Sequence, residues 1–472
     1  MSRLITLFLT VFFSTAYAQE ILVPPYLQPG NSPNLRKEGK VIIWQTDSIP
    51  GNYKVECSQV SAASAKPIVA KANSVKLRLS NKTTFLYRAN LSGLDFDATY
   101  SYQVGLNGNT IYKGSFETRT KKPKTRFAVF GDCGVGSPEQ AKVAYQIFQQ
   151  KPQFALLTGD LVYSYGRELE YRKRFFPYYL APEAIPEKGA PLMNSIPFYM
   201  MAGNHDVYSA DFTKYPDGLA YFYYSDLPLN APIPTATVEA IGDTETVKVF
   251  KKNTSPRFPR ITNYSFDYGN VHVAVLDANS YVNPVDHALV NWLMNDMRLS
   301  KADWKILAYH QPAFNSSLRH YDYQIMRVLA PITEKLGIDL VLTGHVHSYQ
   351  RTVPLRFSPE MGATDNRYTI AENGRVNGEF KLDTLFNGKS NTKADGIIYV
   401  TTGAGGAALY DTEISEKPEL WKKGPPENWA PYTAKLVSDR HSFTMIETDG
   451  AKLTLKQMDV DGKVFDEIAI TK

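Results

Sequence analysis

Five short segments of this chain set metal-binding side chains where an apolar run stops. They are Gly131-Asp132-Cys133-Gly134, Gly159-Asp160-Leu161-Val162-Tyr163, Gly203-Asn204-His205-Asp206, Leu307-Ala308-Tyr309-His310 and Gly344-His345-Val346-His347. The donors are carboxylates, an amide, a phenol and imidazoles, a mixture suited to first-row transition ions. Two such ions about 3.5–4 Å apart can clamp the attacking and leaving oxygens of a phosphoryl displacement. A paired site needs one ligand shared by both ions, and a carboxylate with two oxygens suits that task. Taken singly, each segment has an ordinary explanation. Gly-Asp pairs are common turn chemistry, His345 could be a satisfied core histidine, and Tyr163 could be a packed aromatic. Five in sequence point to a metal centre.

The elements that must position these residues alternate between strand and helix. Phe127-Ala128-Val129-Phe130 is a short buried strand, and Ser137-Pro138-Glu139-Gln140 opens a helix as a capping box with proline at the first helical position. Ala144, Ile147 and Phe148 continue it at helical spacing, and Phe154-Ala155-Leu156-Leu157 returns as a strand to complete a β-α-β unit. The rhythm recurs with strands at 271–276, 304–309 and 338–342 and helices at 284–297 and 323–336. From residue 121 onward the chain is expected to form an α/β sandwich, with its motifs at the carboxyl ends of strands, where sites collect in such sheets. Residues 209–263 form a long irregular stretch between two motifs; such loops are functional or disordered, and a rim over the site is the reading adopted. The tail holds strand-like runs at 397–401 and 442–447, and Asp459-Val460-Asp461-Gly462 is expected to be a hairpin turn, not a calcium loop.

The order of the motifs, with a tyrosine closing the second, resembles the purple acid phosphatases, a branch of the dinuclear metallophosphoesterases. The resemblance spans most of the chain. It implies that Asp160 is the bridging ligand, that Asp132, Tyr163 and His347 complete one ion's shell, and that Asn204, His310 and His345 complete the other's. Two carboxylates and a phenolate make a hard anionic pocket suited to Fe(III), and the more neutral pocket suits Zn(II), Mn(II) or Fe(II). Phenolate bound to ferric iron gives that family its purple colour. Generic metallophosphoesterases carry Asp-x-His in the first motif and an acidic end to the second, where this chain has Gly134 and Tyr163. By the same match, His205 contacts substrate phosphate and His320 is the second substrate-facing histidine and candidate general acid. Arg319 stands where plant members often carry histidine; its planar fork binds phosphate but cannot give up a proton, which leaves the substrate range open. Asp206 is expected to orient His205. His272, His287 and His441 have no such placement and are expected to be structural.

The reaction implied is hydrolysis of a small phosphate monoester, with a metal-bound hydroxide attacking phosphorus in line with the ester oxygen. His320, with His205, protonates the leaving alcohol. A trivalent ion acidifies its water more than zinc does, so activity at acidic pH is expected. A phosphodiesterase acting on nucleotides or other diesters would use the same ions, and the motifs do not separate the two. An exported binding module working through the N-terminal region is the third reading, and the intact ligand set speaks against it.

At 472 residues the chain is long enough for two domains. Met1-Ser2-Arg3 precedes an apolar run from Leu4 to Phe13, and Ala16-Tyr17-Ala18 offers a small-x-small cleavage site. Residues 1–18 are therefore expected to be a signal peptide for periplasmic or secreted export. A run of about ten apolar residues is half of what a membrane span needs. Residues 19–120 are strand-rich. Pro24-Pro25-Tyr26-Leu27-Gln28 resembles the opening of the N-terminal domain in plant and bacterial purple acid phosphatases, and Leu94 to Tyr102 resembles the tyrosine corner of fibronectin type III sandwiches. A generic β-sandwich is the alternative. Residues 121–472 are assigned to the catalytic domain. Cys57 and Cys133 fall in different domains, and Cys133 is expected to be a small buried filler. A net charge of +5 with no basic stripe beyond Lys121-Lys122-Pro123-Lys124 argues against nucleic acid as a structural partner. Oligomeric state is not legible.

Overall fold

The computed structural model describes residues 19–62, 66–79, 82–362, 367–422 and 430–472. The expected signal segment 1–18 lies outside the described residues. No helix among the described residues is long and apolar enough to cross a membrane.

Residues 21–117 form two four-stranded sheets packed face to face. One runs in the order Ile21–Gln28, Glu38–Thr46, Lys82–Leu94, Asn73–Leu79; the other runs Ile68–Lys71, Tyr53–Gln59, Thr99–Leu106, Asn109–Glu117. Trp44, Tyr53 and Tyr87 fill the space between them, with Trp44 stacked on Tyr87 at 5.4 Å. The Tyr100 hydroxyl accepts from Asp95 N–H at 3.1 Å, which ties the corner that the sequence suggested. Every residue of Glu38–Thr46 is buried. The two-residue period of a strand explains how: Ile42 and Trp44 face the sandwich interior, while Val41 and Ile43 join the core of the domain that follows. A half-solvated strand would have alternated polar residues there.

The second domain stacks a six-stranded sheet on a seven-stranded one. The first runs Phe198–Met200, Phe154–Leu157, Lys124–Phe130, Ser442–Asp449, Lys452–Asp459, Val464–Thr471. The second runs Tyr264–Tyr268, Val271–Val275, Trp304–Ala308, Leu340–Thr343, Ile398–Thr402, Tyr349–Thr352, Thr433–Val437. Three neighbouring strands of the first sheet and four of the second are parallel. Aromatic side chains join the layers, with Tyr199 stacked on Phe266 at 3.6 Å. The helix Pro138–Gln149 begins as its sequence requires. Ser137 Oγ accepts from Gln140 N–H at 3.1 Å, and Gln140 Oε1 reaches back to Gly136 N–H at 2.9 Å.

Three expectations change. The helix expected at 323–336 is a 3-10 turn, Ile325–Leu329, followed by a short helix, Ala330–Lys335. Pro331 lacks an N–H and belongs in the first turn of a helix, so the α-helix starts there. The described tail forms five strands, not two: Thr433–Val437 joins the second sheet, and Lys452–Asp459 and Val464–Thr471 make a hairpin whose turn Asp459 closes by accepting from Asp461 N–H and Lys463 N–H. The stretch 209–263 is only in part a rim. From Tyr221 onward much of it is a docking face for the sandwich: Tyr26 OH donates to Tyr224 O at 2.8 Å, Tyr224 OH to Gln45 Oε1 at 2.6 Å, and Arg88 pairs with Asp226 at 3.4 Å. Both cysteines are free and buried.

Candidate metal centre

Six strand ends deliver the site. Asp132, Asp160 and Asn204 follow Phe130, Leu157 and Met200 of the first sheet, and His310 and the His345–His347 pair follow Ala308 and Thr343 of the second. The sixth end, after Thr402, supplies the glycine-rich turn Gly403-Ala404-Gly405-Gly406, whose Gly405 N–H donates to Gly131 O and whose neighbour Ala407 N–H donates to Asp132 O. The chain turns sharply at three of the expected ligands and at His320. Asp132, Asp160, His345 and His320 sit at φ 53°, 49°, 66° and 59°, a region that costs a residue with a Cβ about 1–2 kcal/mol. Glycine is needed where the turns crowd one another: a Cβ on Gly203 would lie 2.2 Å from Asp160 Oδ1, and one on Gly159, at φ +94°, would lie 2.5 Å from His310 Nδ1.

The structure brings all seven expected ligands together as two clusters. In the first, Tyr163 OH lies 3.2 Å from Asp132 Oδ1 and 3.0 Å from His347 Nε2, and His347 Nε2 lies 3.6 Å from Asp132 Oδ1. In the second, Asn204 Oδ1 lies 3.2 Å from His310 Nε2 and 3.0 Å from His345 Nδ1, with Asp160 Oδ2 3.3 Å from His310 Nε2. Donors held about 2.0–2.2 Å from one ion stand about 3.0–3.6 Å from each other, so both clusters have the dimensions of a coordination shell. Ring orientation is fixed from behind. Thr158 O accepts from His310 Nδ1 and Ala408 O from His347 Nδ1, each at 2.6 Å, which leaves both Nε2 lone pairs facing inward.

Electrostatics support the same fit. Burial pushes the Asp132 carboxyl well above the carboxylate range, with the His310 charge opposing and the Asp160 charge adding. Burial and those two carboxylates also hold the Tyr163 phenol well above its ordinary value. Burial holds His347 down to about 4 and His345 well below the usual imidazole range, so both rings are neutral, as metal binding requires. Burial alone would lower His310, but its contact with Asp160 raises it to about 9, and the same contact holds Asp160 below its usual range. Buried anionic oxygens this close together call for cations. The donor set fits a pair of metal ions.

Three of the four remaining expected residues, His205, Arg319 and His320, line the opening. His205 N–H donates to Asp160 Oδ1 at 2.9 Å; its ring Nδ1 is 2.7 Å from Ser164 O, and its Nε2 is 4.0 Å from Asp160 Oδ2. His320 lies with its ring 4.5 Å from that of His345. Arg319 places its guanidinium 4.9 Å over the ring of Tyr410. Asp206 does not orient His205. Among the described residues its carboxylate accepts from Leu161 N–H at 3.1 Å, Gly203 N–H at 2.9 Å and Tyr171 OH at 2.8 Å. One residue on in a helix turns the side chain by about 100°, so Asp206 faces inward while His205 faces the opening, and it positions two ligand turns instead. Tyr410 was missed. Its ring stacks on His347 at 4.0 Å and 14°, and the adjacent Asp411 accepts from Leu318 N–H at 2.8 Å, pinning the loop that carries His320. The glycine-rich run after the strand at 398–402 was the signal that could have found it.

Fold and site together define the class. Residues 125–349 match the calcineurin-like phosphoesterase family, and the chain carries a metallophosphoesterase domain of that kind. Purple acid phosphatases are its homologues. The chain is 25% identical over 328 residues to the purple acid phosphatase of Glycine max, covering 66% of this chain and 63% of that one. It is 25% identical over 402 residues to an uncharacterised protein of Mycobacterium tuberculosis, covering 78% of this chain and 67% of that one. The chain thus spans about two thirds of the length of these relatives. A purple acid phosphatase from yellow lupin seeds superposes with a TM-score of 0.65 at 16% identity, over 95% of this chain and 74% of that one; this is a likeness of fold.

Proposed function

We propose that this protein is an exported acid phosphatase that hydrolyses small phosphate monoesters at a dinuclear metal centre, with Fe(III) in the Asp132–Tyr163–His347 shell, Zn(II), Mn(II) or Fe(II) in the Asn204–His310–His345 shell, and Asp160 as the bridge. Its division into a leader at 1–18, a sandwich at 19–120 and a catalytic domain at 121–472 is part of the reading. The observation that carries it is the pair of donor clusters, each of shell dimensions, with the buried Asp160 carboxylate in contact with the second and its charge felt by Asp132 and Tyr163 of the first. Bound there, two ions supply charge neutralisation of the phosphate and a water acidified toward neutral pH. The chain does the rest. His205, its Nδ1 engaged by Ser164 O, presents Nε2 to a phosphate oxygen. Arg319, held over Tyr410, offers its fork to the same group. His320 protonates the departing alcohol, general-acid assistance being worth about 10²–10⁴-fold.

Metal analysis of purified protein, beside rates on an aryl phosphate and its bis-aryl diester, tests the reading. The expected result is two ions per chain and faster cleavage of the monoester; a faster diester would reassign the activity. Asp160→Ala should lose activity and metal at both positions, and a variant keeping both ions would show that Asp160 is not the bridge.

A further inference from the structure

A cleft of about 1380 Å³ runs along the junction of the two domains, and the reaction above makes no use of it. One wall is the first sheet of the sandwich; the other is the stretch around Asp226 and the end of the helix Thr244–Thr254. None of the seven metal donors lines it, and neither do His205 and His320. Lys121, at its edge, precedes the strand Lys124–Phe130, whose far end leads to Asp132. That strand sets the two roughly 20 Å apart. The walls are held to each other: Asn253 Nδ2 donates to Lys76 O at 3.1 Å, Gly30 N–H to Asp226 O at 2.9 Å and Leu229 N–H to Asn31 Oδ1 at 3.0 Å.

Charge in this cleft does not balance. On its floor Arg88 and Arg257 share one carboxylate, Asp226, at 3.4 and 3.9 Å, and each arginine side chain is 10% exposed. Burial pulls Arg257 down to about 9, and the charge of Arg88 adds to the fall, as two cations short of a counter-ion should behave. Glu38 is taken up by Lys40 and Arg119. Asp95 is the remaining acid of the lining. Against it stand Arg36, Lys37, Lys121 and Lys252 on the rim, all exposed and none ion-paired among the described residues. The cleft calls for an anion.

The rest of the lining narrows the kind of anion. Asn73, Ser74, Asn90, Ser92 and Ser255 line the cleft with amides and hydroxyls that hydrogen-bond nothing else among the described residues. Such groups both donate and accept, which is what the hydroxyls of a sugar chain need. Nucleic acid would want rings on which bases stack, but the aromatic ring of the lining, Phe96, is covered by Lys121 Nζ at 4.2 Å from its centre. A bilayer surface would want exposed apolar side chains, and Val41, Leu91 and Leu94 are buried. The volume exceeds the ~300–1,000 Å³ of a small-molecule pocket, so several linked units have room. We infer that the cleft binds an acidic oligosaccharide, with its carboxylate or sulfate groups on the arginine and lysine side chains and its hydroxyls on the asparagine and serine ones. This site stands apart from the metal chemistry and does not depend on it.

The test titrates the metal-loaded full chain by calorimetry with oligogalacturonate, with dextran sulfate oligomers and with neutral dextran. The first two separate carboxylate from sulfate as the charged group. At least one of them should bind, more weakly as salt is added, and neutral dextran should not. Arg36→Gln/Lys121→Gln/Lys252→Gln alters exposed side chains only and should keep the circular dichroism and the aryl phosphatase rate. It should weaken oligosaccharide binding roughly 10-fold, the combined worth of three exposed charge contacts. Neither charged oligomer binding, neutral dextran binding as tightly, or a rim variant that binds like the wild type overturns the site. Poly-glutamate binding as tightly as the oligosaccharide overturns the choice of a sugar chain and makes the occupant an acidic peptide. Competitive inhibition of aryl phosphate cleavage that persists undiminished in the rim variant would place the oligomer at the metal centre and overturn the cleft.

Discussion

Tyr163 is the residue on which the proposed metal pairing turns. Its hydroxyl touches both Asp132 and His347, and burial in their company keeps the proton on the phenol unless a cation replaces it. With Fe(III) there, the protein should absorb broadly in the visible through phenolate-to-iron charge transfer, and Tyr163→Phe should bleach it while keeping the fold. An active, colourless wild type holding zinc or manganese and no iron would remove the ferric assignment and leave the paired-ion chemistry standing. His320 makes a second prediction. His320→Ala should keep its metal and slow alkyl esters by about 10²–10⁴-fold, with far less effect on aryl esters, whose alcohols depart without a proton. Equal losses on both esters would make His320 a binding residue. The seven donors that the structure gathers, and the two histidines at the opening, were legible as a group because their residue types and order carry the chemistry. Tyr410 and Asp206 were not resolved correctly, because a stacking ring and the direction of a carboxylate depend on neighbours far away in sequence.

Among the elements, the helix His287–Leu299 is tied to the seven-stranded sheet by an ionic clamp. His272, on Val271–Val275, places Nδ1 2.7 Å from Asp267 on the neighbouring strand and Nε2 2.9 Å from Asp296 on the helix. Burial alone would lower this imidazole, but the two carboxylates raise it to about 9 from an ordinary value of 6.5. A raised histidine stabilises fully below its unfolded value and loses that contribution as pH climbs through its folded one. His272→Gln should therefore cost roughly 2–3 kcal/mol at about pH 6, and the gap to wild type should narrow toward about pH 10. Unfolding followed at both pH values checks this, and a gap that does not change with pH would show that the clamp is not ionic. Sequence alone placed His272 as structural. It could not show the clamp, whose members lie five and twenty-four residues away on separate elements.

At the scale of the whole molecule, the sandwich is joined to the metallophosphoesterase domain by buried charge as well as by apolar packing. Glu38 is fully buried, pairs with Lys40, and accepts from Arg119 Nε at 2.6 Å; Arg119 also donates to Asp267 O at 3.1 Å, across the junction. Burial would raise the Glu38 carboxyl, and the two cations hold it below its usual range. Glu38→Gln takes from buried Lys40 and Arg119 the carboxylate that they share, a change that costs about 3–5 kcal/mol. Amide exchange should accelerate along Glu38–Thr46 and Tyr264–Tyr268, and unchanged protection there would mean that apolar packing alone holds the junction.

By itself the sequence determined the metallophosphoesterase class, the donor residues that the fold gathers, and the strand-then-helix rhythm that sets them at strand ends. These are local properties: donor type is written in the side chain, and periodicity in a dozen neighbouring residues. Tertiary structure decided what depends on approach between distant segments. It split the strand Glu38–Thr46 between two cores, and it turned much of the 209–263 stretch into a docking face. It also aimed Asp206 inward and laid Tyr410 on His347. None of these leaves a local pattern, because an alternating strand reads alike whether its second face meets water or another domain.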